Sequence, residues 1–299
     1  MIEFKGITKR FGSIEAVAQL TGTIQERNVF GLVGTNGAGK STFLRMVAGI
    51  MKPDEGEILV DGQTIFENVE MKKNIFYISD DSYFWPNATP REMMQYYAMF
   101  YPCYDEQRFS EMMKQFGLDE KRRINTFSKG MKKQASIILG ICANTKYLLC
   151  DETFDGLDPV MRQAVKSIFA AEIMNRDFTP VIASHNLREL EDFCDHVGLL
   201  HRGGMLLSRE LGDMKENIFK VQCVLSENAR KMFLNDLTVV KQEQRGSLTT
   251  FIARGTREEI FGKLQTFEPV FWEILPLTLE EIFISETEVA GYDIKNLLS

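Results

Sequence analysis

Residues Gly34 to Ser41 read GTNGAGKS, the spacing GxxxxGK[ST]. That pattern can cradle phosphates. Glycines let backbone N–H groups turn inward around anionic oxygens, and a helix opening behind them adds a favourable field. Within it Lys40 reaches the β- and γ-phosphates of a nucleoside triphosphate, and the Ser41 hydroxyl ligates Mg2+. A Gly-rich turn without a ligand is the bland alternative, and context decides between them. The motif follows the apolar run VFGLVG and precedes the helically spaced FLRMVAGIM, as the mechanism requires. A second group is Asp151-Glu152, at the end of the apolar run YLLCDE. Ligands of open α/β sheets sit at that edge of the strands. There Asp151 is suited to holding Mg2+, and Glu152 to orienting and deprotonating a water. Alone, such a pair reads equally well as solvated charge; beside a phosphate loop it does not. A third group is FSKGMKKQ (127–134), three lysines at a helix start in a chain of net charge −7. They could face nucleic acid, solvent, or an anion held by another copy of the chain.

The elements that must position these groups follow from periodicity. VFGLVG, YLLCDE and PVIASH are continuous apolar runs, as strands buried on both faces require. IEFKGITKRF, AVAQLTGTI and GEILVDG read as further strands, and HVGLLHRGGMLL as strands around a turn. The helix behind the phosphate loop is expected to close at Lys52-Pro53. From about residue 85 to 145 the pattern is mostly helical and rich in methionine and aromatics. Buried strands alternating with helices predict a largely parallel α/β sheet. Composition shifts near Leu211–Asn217. Beyond it come a strand (IFKVQCVLS), a helix (ENARKMFLND), a hairpin turning at Arg245-Gly246, a helix, a strand (VFWEILPL) and a closing helix. That order suggests a split-βαβ, ferredoxin-like domain. The expected division is 1–212 and 213–299.

The bulk numbers bound the reading. The chain has 299 residues, 44% hydrophobic and 26% charged, which is ordinary globular composition. Net acidity argues against a nucleic-acid partner held by general electrostatics. Five scattered cysteines without a CxxC pair read as buried or free thiols in a reducing compartment. The start MIEFKGITKRF is too regularly charged for a signal peptide. No apolar run approaches the roughly 20 residues that span a bilayer.

Taken together, these residues resemble the ATP-binding subunit of an ABC transporter. Six segments occur in the family's order over roughly residues 1–210. GTNGAGKST is the P-loop, FSKGMKKQ matches the signature loop (usually LSGGQ), and YLLCDE matches the second Walker motif. DGLDP matches the D-loop, IASH the switch histidine, and KRFG the aromatic that stacks on adenine. The resemblance implies an α/β P-loop NTPase of the ABC type. It has a mixed sheet core, an antiparallel β subdomain and a helical subdomain at about 85–145, with a small α+β domain behind. It implies an ATPase using ATP and Mg2+, working as a head-to-tail dimer with a second ATPase subunit, docked on membrane permease subunits at the cytoplasmic face. The short added C-terminal domain looks like that of bacterial exporters whose permease is a separate chain.

By the same resemblance Gly34, Thr35, Asn36, Gly37, Ala38, Gly39, Lys40, Ser41 and Thr42 bind the phosphates, Thr42 at the α-phosphate, and Phe11 stacks on adenine. Ser41 and Asp151 hold the metal. Glu152 is the general base, His185 steadies the γ-phosphate and water, and Asp158 couples the two sites. Ser128, Lys129 and Gly130 of one subunit close over ATP held by the other, so the lysine cluster would face the partner's anion, with at least one of Lys132 and Lys133 in solvent. His196 and His201 read as structural. The aromatic stretch from Phe84 to Tyr104 is core of the helical subdomain, with Trp85, Tyr96 or Tyr97 partly exposed where the family grips its permease.

Two departures stand out. Asp80 occupies the place of the family's usual glutamine, and could still offer an oxygen to Mg2+. Lys129 replaces a glycine, with Met131 in place of glutamine. Other readings remain: a non-transport ABC ATPase acting on ribosomes or DNA, or a weakly hydrolysing ATP-binding partner subunit. The cargo, a peptide, drug or lipid by family analogy, is not written in these residues.

Overall fold

The computed structural model describes residues 1–226, 229, 232–233 and 237–289. The chain divides into two compact units, Met1–Ser208 and Arg209–Ser299. Strands and helices are labelled in chain order.

In the first unit, β1 (Ile2–Phe11), β2 (Ile14–Ile24), β4 (Glu55–Val60) and β5 (Gln63–Thr64) form an antiparallel sheet in the order β2-β1-β4-β5. A larger sheet has the order β10-β9-β3-β8-β7-β6. It comprises β3 (Phe30–Val33), β6 (Ile75–Ile78), β7 (Tyr147–Asp151), β8 (Thr179–Ser184), β9 (His196–His201) and β10 (Gly204–Glu210). The β3–β8, β3–β9, β7–β8 and β6–β7 pairs are parallel. Every residue of β3, β7 and β8 is buried, which is why their sequences are uninterrupted apolar runs rather than alternations. A core of Phe4, Phe43, Leu44, Val60, Tyr147, Leu149 and Val181 joins the two sheets through α1 (Lys40–Val47). This helix ends at Val47, before the expected Lys52-Pro53, because Gly49 turns the chain with φ +65.

The short α2 (Val69–Lys72) is followed by the helical stretch: α3 (Pro90–Ala98), α4 (Glu106–Gln115) and α5 (Lys129–Cys142). The start of α3 is written locally: Thr89 and Glu92 form a capping box with Pro90 in the first turn. Then come α6 (Pro159–Asn175) and α7 (Leu187–Phe193). His196 stacks on Phe30 and bonds Ser208, and His201 is buried, in keeping with structural roles. All five cysteines are free thiols, four of them buried.

In the second unit, α8 (Leu211–Glu216) leads into β11 (Ile218–Val224), β12 (Thr238–Arg245), β13 (Leu248–Arg254), α9 (Arg257–Gln265), β14 (Phe271–Pro276) and α10 (Leu279–Val289). The sheet order is β12-β13-β11-β14, with antiparallel neighbours. Its core includes Val221, Phe251, Ile260 and Leu264. Most of the helix expected over ENARKMFLND lies outside the described residues.

One ionic cluster fastens the helical stretch to the core of the first unit. Buried Glu172 on α6 accepts hydrogen bonds from Arg108 on α4 and from Arg176, whose Nη1 also donates to the Thr145 carbonyl at 2.6 Å. Burial pushes the Glu172 carboxyl up, but the two guanidinium hydrogen bonds outweigh it and hold it below the usual carboxylate range. A depressed folded pKa gives stability that is complete above the unfolded value of about 4.3 and lost as pH falls through the folded value. Glu172→Gln is therefore expected to cost about 2 kcal/mol at pH 7, at the low end for a buried pair because both arginines keep some contact with water. Its acid limb should also be flatter in thermal melts between pH 7 and 3. A variant that melts like the parent across that range would contradict the role of the cluster.

Candidate nucleotide-hydrolysis site

The phosphate loop leaves β3 at Gly34 and enters α1 at Lys40. Gly37 and Gly39 have φ of +80 and +105, the left-handed region that favours glycine. At Gly39 space is also limiting: a Cβ would stand 2.2 Å from the Ala16 carbonyl oxygen of β2. Gly39 is the N-cap of α1, no side chain caps it, and the first turn carries no acidic residue. The helix thus offers N–H groups and its positive end to an anion. Thr35, Asn36 and Gly37 are exposed, while Gly34, Ala38 and Lys40 are buried. Ser41 and Thr42, both half-buried, follow on the helix.

Lys40 is anchored beneath the loop. Its Nζ donates to the carbonyls of Gly34 at 2.7 Å and Thr35 at 3.2 Å, and lies 3.2 Å from Oε1 of Glu152. The other Glu152 oxygen is 2.8 Å from His185 Nδ1. Register explains the convergence. β7 and β8 run parallel, and the Glu152 amide donates to the Ala183 carbonyl at 2.9 Å, so Glu152 and His185 leave neighbouring strands at one edge. Glu152 itself has φ +48, an unfavourable conformation for a residue with a Cβ.

Asp151 is nearly fully buried at the end of β7. Ser41 Oγ donates to its Oδ1 at 3.0 Å and Tyr77 OH to its Oδ2 at 3.0 Å. Burial raises the Asp151 pKa from its ordinary value against the lowering effect of these two hydrogen bonds, and the neighbouring Glu152 charge adds to the rise. The Tyr77 hydroxyl is pushed well up by burial and by the Asp151 charge, so it serves as a donor. Sequence reasoning missed Tyr77. The signal was available, since β6 pairs with β7 in a register that sets Tyr77 beside Leu149, but only strand pairing reveals it.

The structure places Asp80, expected near the metal, beside a lysine. Its carboxylate is directed at Lys133, with Oδ1–Nζ 3.6 Å, and its side chain is 58% exposed. A short acid beside an ammonium is answered by that charge, and Tyr77 is the group that reaches Asp151. The lysine cluster does not share one environment. Lys129 is exposed, but Lys133 turns inward along α5, is 4% exposed, and donates to the Glu152 carbonyl. Four residues apart, the two share one face of α5; Lys129 lies in its exposed first turn and Lys133 one turn further along, against the core.

Ser128 and Asp158 have local work as well. Ser128 Oγ accepts from Met131 N–H at 3.2 Å and caps α5; Gly130 is half-buried in its first turn. Asp158 Oδ1 accepts from Val160 and Met161 N–H at 3.0 Å each and caps α6. Phe11 is 47% exposed at the end of β1, where the Gly12-Ser13 turn leads into β2. Trp85 is 42% exposed and packs edge-on against the half-buried Tyr96, with Tyr97 alongside.

Known proteins resemble this chain over most of its length. Residues 17–155 match the family model described as ABC transporter. The ABC transporter ATP-binding protein YtrB of Bacillus subtilis (strain 168) is 30% identical over 286 residues, covering 96% of this chain and 98% of that protein. The bacitracin transport ATP-binding protein BcrA of Bacillus licheniformis is 32% identical over 209 residues, covering 69% and 68%. Among solved structures, an ATP-binding subunit of an ABC transporter superposes with TM-score 0.66 at 22% identity, over 89% of this chain and 99% of that one. A dimeric ATP-binding cassette in a post-hydrolysis state with ADP and Pi gives 0.62 at 22%, over 71% and 99%. The chain belongs to the ATP-binding subunits of ABC transporters, and it is an ATPase of that family.

Proposed function

We propose that this chain drives export by a separate membrane permease, hydrolysing ATP at a site completed by a second ATPase subunit, with an amphipathic peptide, drug or lipid as cargo. The observation that carries the catalytic part is the convergence of Lys40, Ser41, Asp151, Glu152 and His185 at one edge of the parallel sheet. In this reading Phe11 stacks on adenine. The loop from Gly34 to Gly39, with Lys40 and Thr42, binds the phosphates. Glu152 takes the proton of the attacking water, and His185 orients Glu152 and the γ-phosphate. The products are ADP, inorganic phosphate and the released proton.

Ser41 Oγ and Asp151 Oδ1 are hard oxygen donors within 3.0 Å of each other, which suits Mg2+. Among the described residues no group of three His, Cys, Asp or Glu could hold a metal alone. That fits an ion whose remaining ligands are phosphate oxygens and water. When bound, Mg2+ neutralises phosphate charge. Asp80 is assigned to Lys133 rather than to the metal.

Across the proposed dimer, Ser128, Lys129, Gly130 and the start of α5 face the partner's γ-phosphate, and Asp158 links the two sites. Exposed Lys129 is free of the helix-capping role that occupies Ser128. Docking at the cytoplasmic face rests on a cavity of about 350 Å3 lined by Tyr83, Phe84, Trp85, Tyr96 and Tyr97. Among the described residues no helix is long and apolar enough to cross a membrane. The similarity to BcrA, a bacitracin transport ATP-binding protein, supports a peptide cargo. Residues 213–299 are read as a ferredoxin-like accessory domain.

Three outcomes test this reading. Glu152→Gln should keep ATP binding while turnover falls about a hundredfold or more; near-parental steady-state hydrolysis would remove Glu152 as base. Lys129→Gly should weaken ATP-dependent self-association and hydrolysis together, and unchanged values in both assays would end its phosphate role. Tyr77→Phe should raise the Mg2+ concentration for half-maximal ATPase by about tenfold, because a metal ligand loses the partner that orients it. An unshifted Mg2+ titration would mean that Tyr77 does not act on the metal site.

A further inference from the structure

We propose that Lys133 is a positioning residue for the hydrolytic step: its ammonium fixes the backbone of Glu152 from the signature helix, and Asp80 holds that ammonium in place. This rests on the reading of Glu152 as general base.

Three independent observations meet at this side chain. Lys133 is 4% exposed, deep for a lysine, and a buried ammonium persists only where acceptors answer it. Its Nζ donates to the carbonyl oxygen of Glu152. Asp80 supplies the nearby negative charge, Oδ1–Nζ 3.6 Å. The acceptor is an unusual one, because Glu152 has φ +48. A left-handed residue at a strand end needs both of its peptide groups held if its side chain is to keep one direction. The Glu152 N–H is held by the Ala183 carbonyl of β8, and its C=O by Lys133 of α5. The carboxylate is then gripped by Lys40 and His185.

The connection has a mechanical consequence. α5 begins at the signature residues Ser128, Lys129 and Gly130, and Lys133 lies one turn further along. Asp80 sits after β6, in the segment that leads to Trp85 and α3. One ammonium therefore ties together the signature helix, the segment beside the aromatic cavity, and the hydrolytic carboxylate. A rigid shift of α5 or of the Asp80 segment reaches Glu152 through this contact. The pairing also accounts for an acid at position 80: it serves as counter-charge to Lys133.

The test is steady-state ATPase and fluorescent-ATP binding on the full chain, with Lys133→Met, Lys133→Arg, Asp80→Asn, the Asp80→Asn/Lys133→Met double variant, and Glu152→Gln as reference. Lys133→Met should lower kcat by about tenfold to a hundredfold, the scale of a small misplacement of a reacting group. KM and nucleotide affinity should stay within about twofold, the split that marks loss in the chemical step. Lys133→Arg should recover most of kcat. Adding Asp80→Asn to Lys133→Met should cost nothing further; an additional loss would overturn the part assigned to Asp80. Should Lys133→Met not fold, Lys133→Gln, which keeps a donor, carries the same expectation in milder form. Parental kcat in a folded Lys133→Met, with Glu152→Gln inactive, would overturn the proposal. So would a fall in kcat matched by a fall in nucleotide affinity and thermal stability, with no rescue by arginine. Normal hydrolysis by Glu152→Gln would instead remove the base, and with it the group that Lys133 is proposed to position.

Discussion

The site depends on two adjacent carboxylates brought to the end of one buried strand. Asp151 and Glu152 follow each other on β7, so their side chains leave the strand toward different neighbours. Left alone, two such charges at a buried edge would repel and protonate. The chain answers them separately. Asp151 is met by two neutral hydroxyls, Ser41 and Tyr77, and Glu152 by the cationic Lys40 and by His185. This division leaves one carboxylate with oxygen-rich company suited to a hard cation, and the other beside nitrogen donors suited to handling a proton. Parallel strands β3, β7 and β8 and the helix behind the phosphate loop are what hold these partners within 3.2 Å of the acids.

The same edge joins parts of the first unit that are far apart in sequence. The Ala16 carbonyl of β2 lies close against Gly39, so the antiparallel sheet shapes the glycine loop between β3 and α1. Lys133 of α5 reaches the backbone of Glu152, so the helical stretch touches the chemistry through one buried charge. Glu172 pins α4 to α6 on the far side of that stretch. These charged contacts add to apolar packing of the helical stretch on the sheet, where Phe76 of β6 meets Tyr97 and Tyr101 and Gly140 of α5 lies close to Leu148.

Much of this was legible in the sequence. The phosphate loop could be read because its glycines are demanded by φ values of +80 and +105, and the buried strands because parallel sheets need unbroken apolar runs. Glu152 and His185 followed from ordered motifs. What stayed hidden depends on three-dimensional phase. Tyr77 becomes a partner of Asp151 only through the β6–β7 register, and Lys133 differs from Lys129 by lying one turn further along α5, where the helix meets the core. The pairing of Asp80 with Lys133 was not legible, because a motif position fixes where a residue starts, not which neighbour attracts its charge. Ser128 and Asp158 carry helix-capping work that their motif positions conceal.

The central claim is that this site becomes complete only when a second subunit closes over bound ATP. Light scattering of purified Glu152→Gln, with and without Mg-ATP, tests it most directly. The account predicts a monomer without nucleotide and a mass close to twice that with Mg-ATP. A chain that binds Mg-ATP and keeps its monomer mass would contradict closure between two copies of this chain.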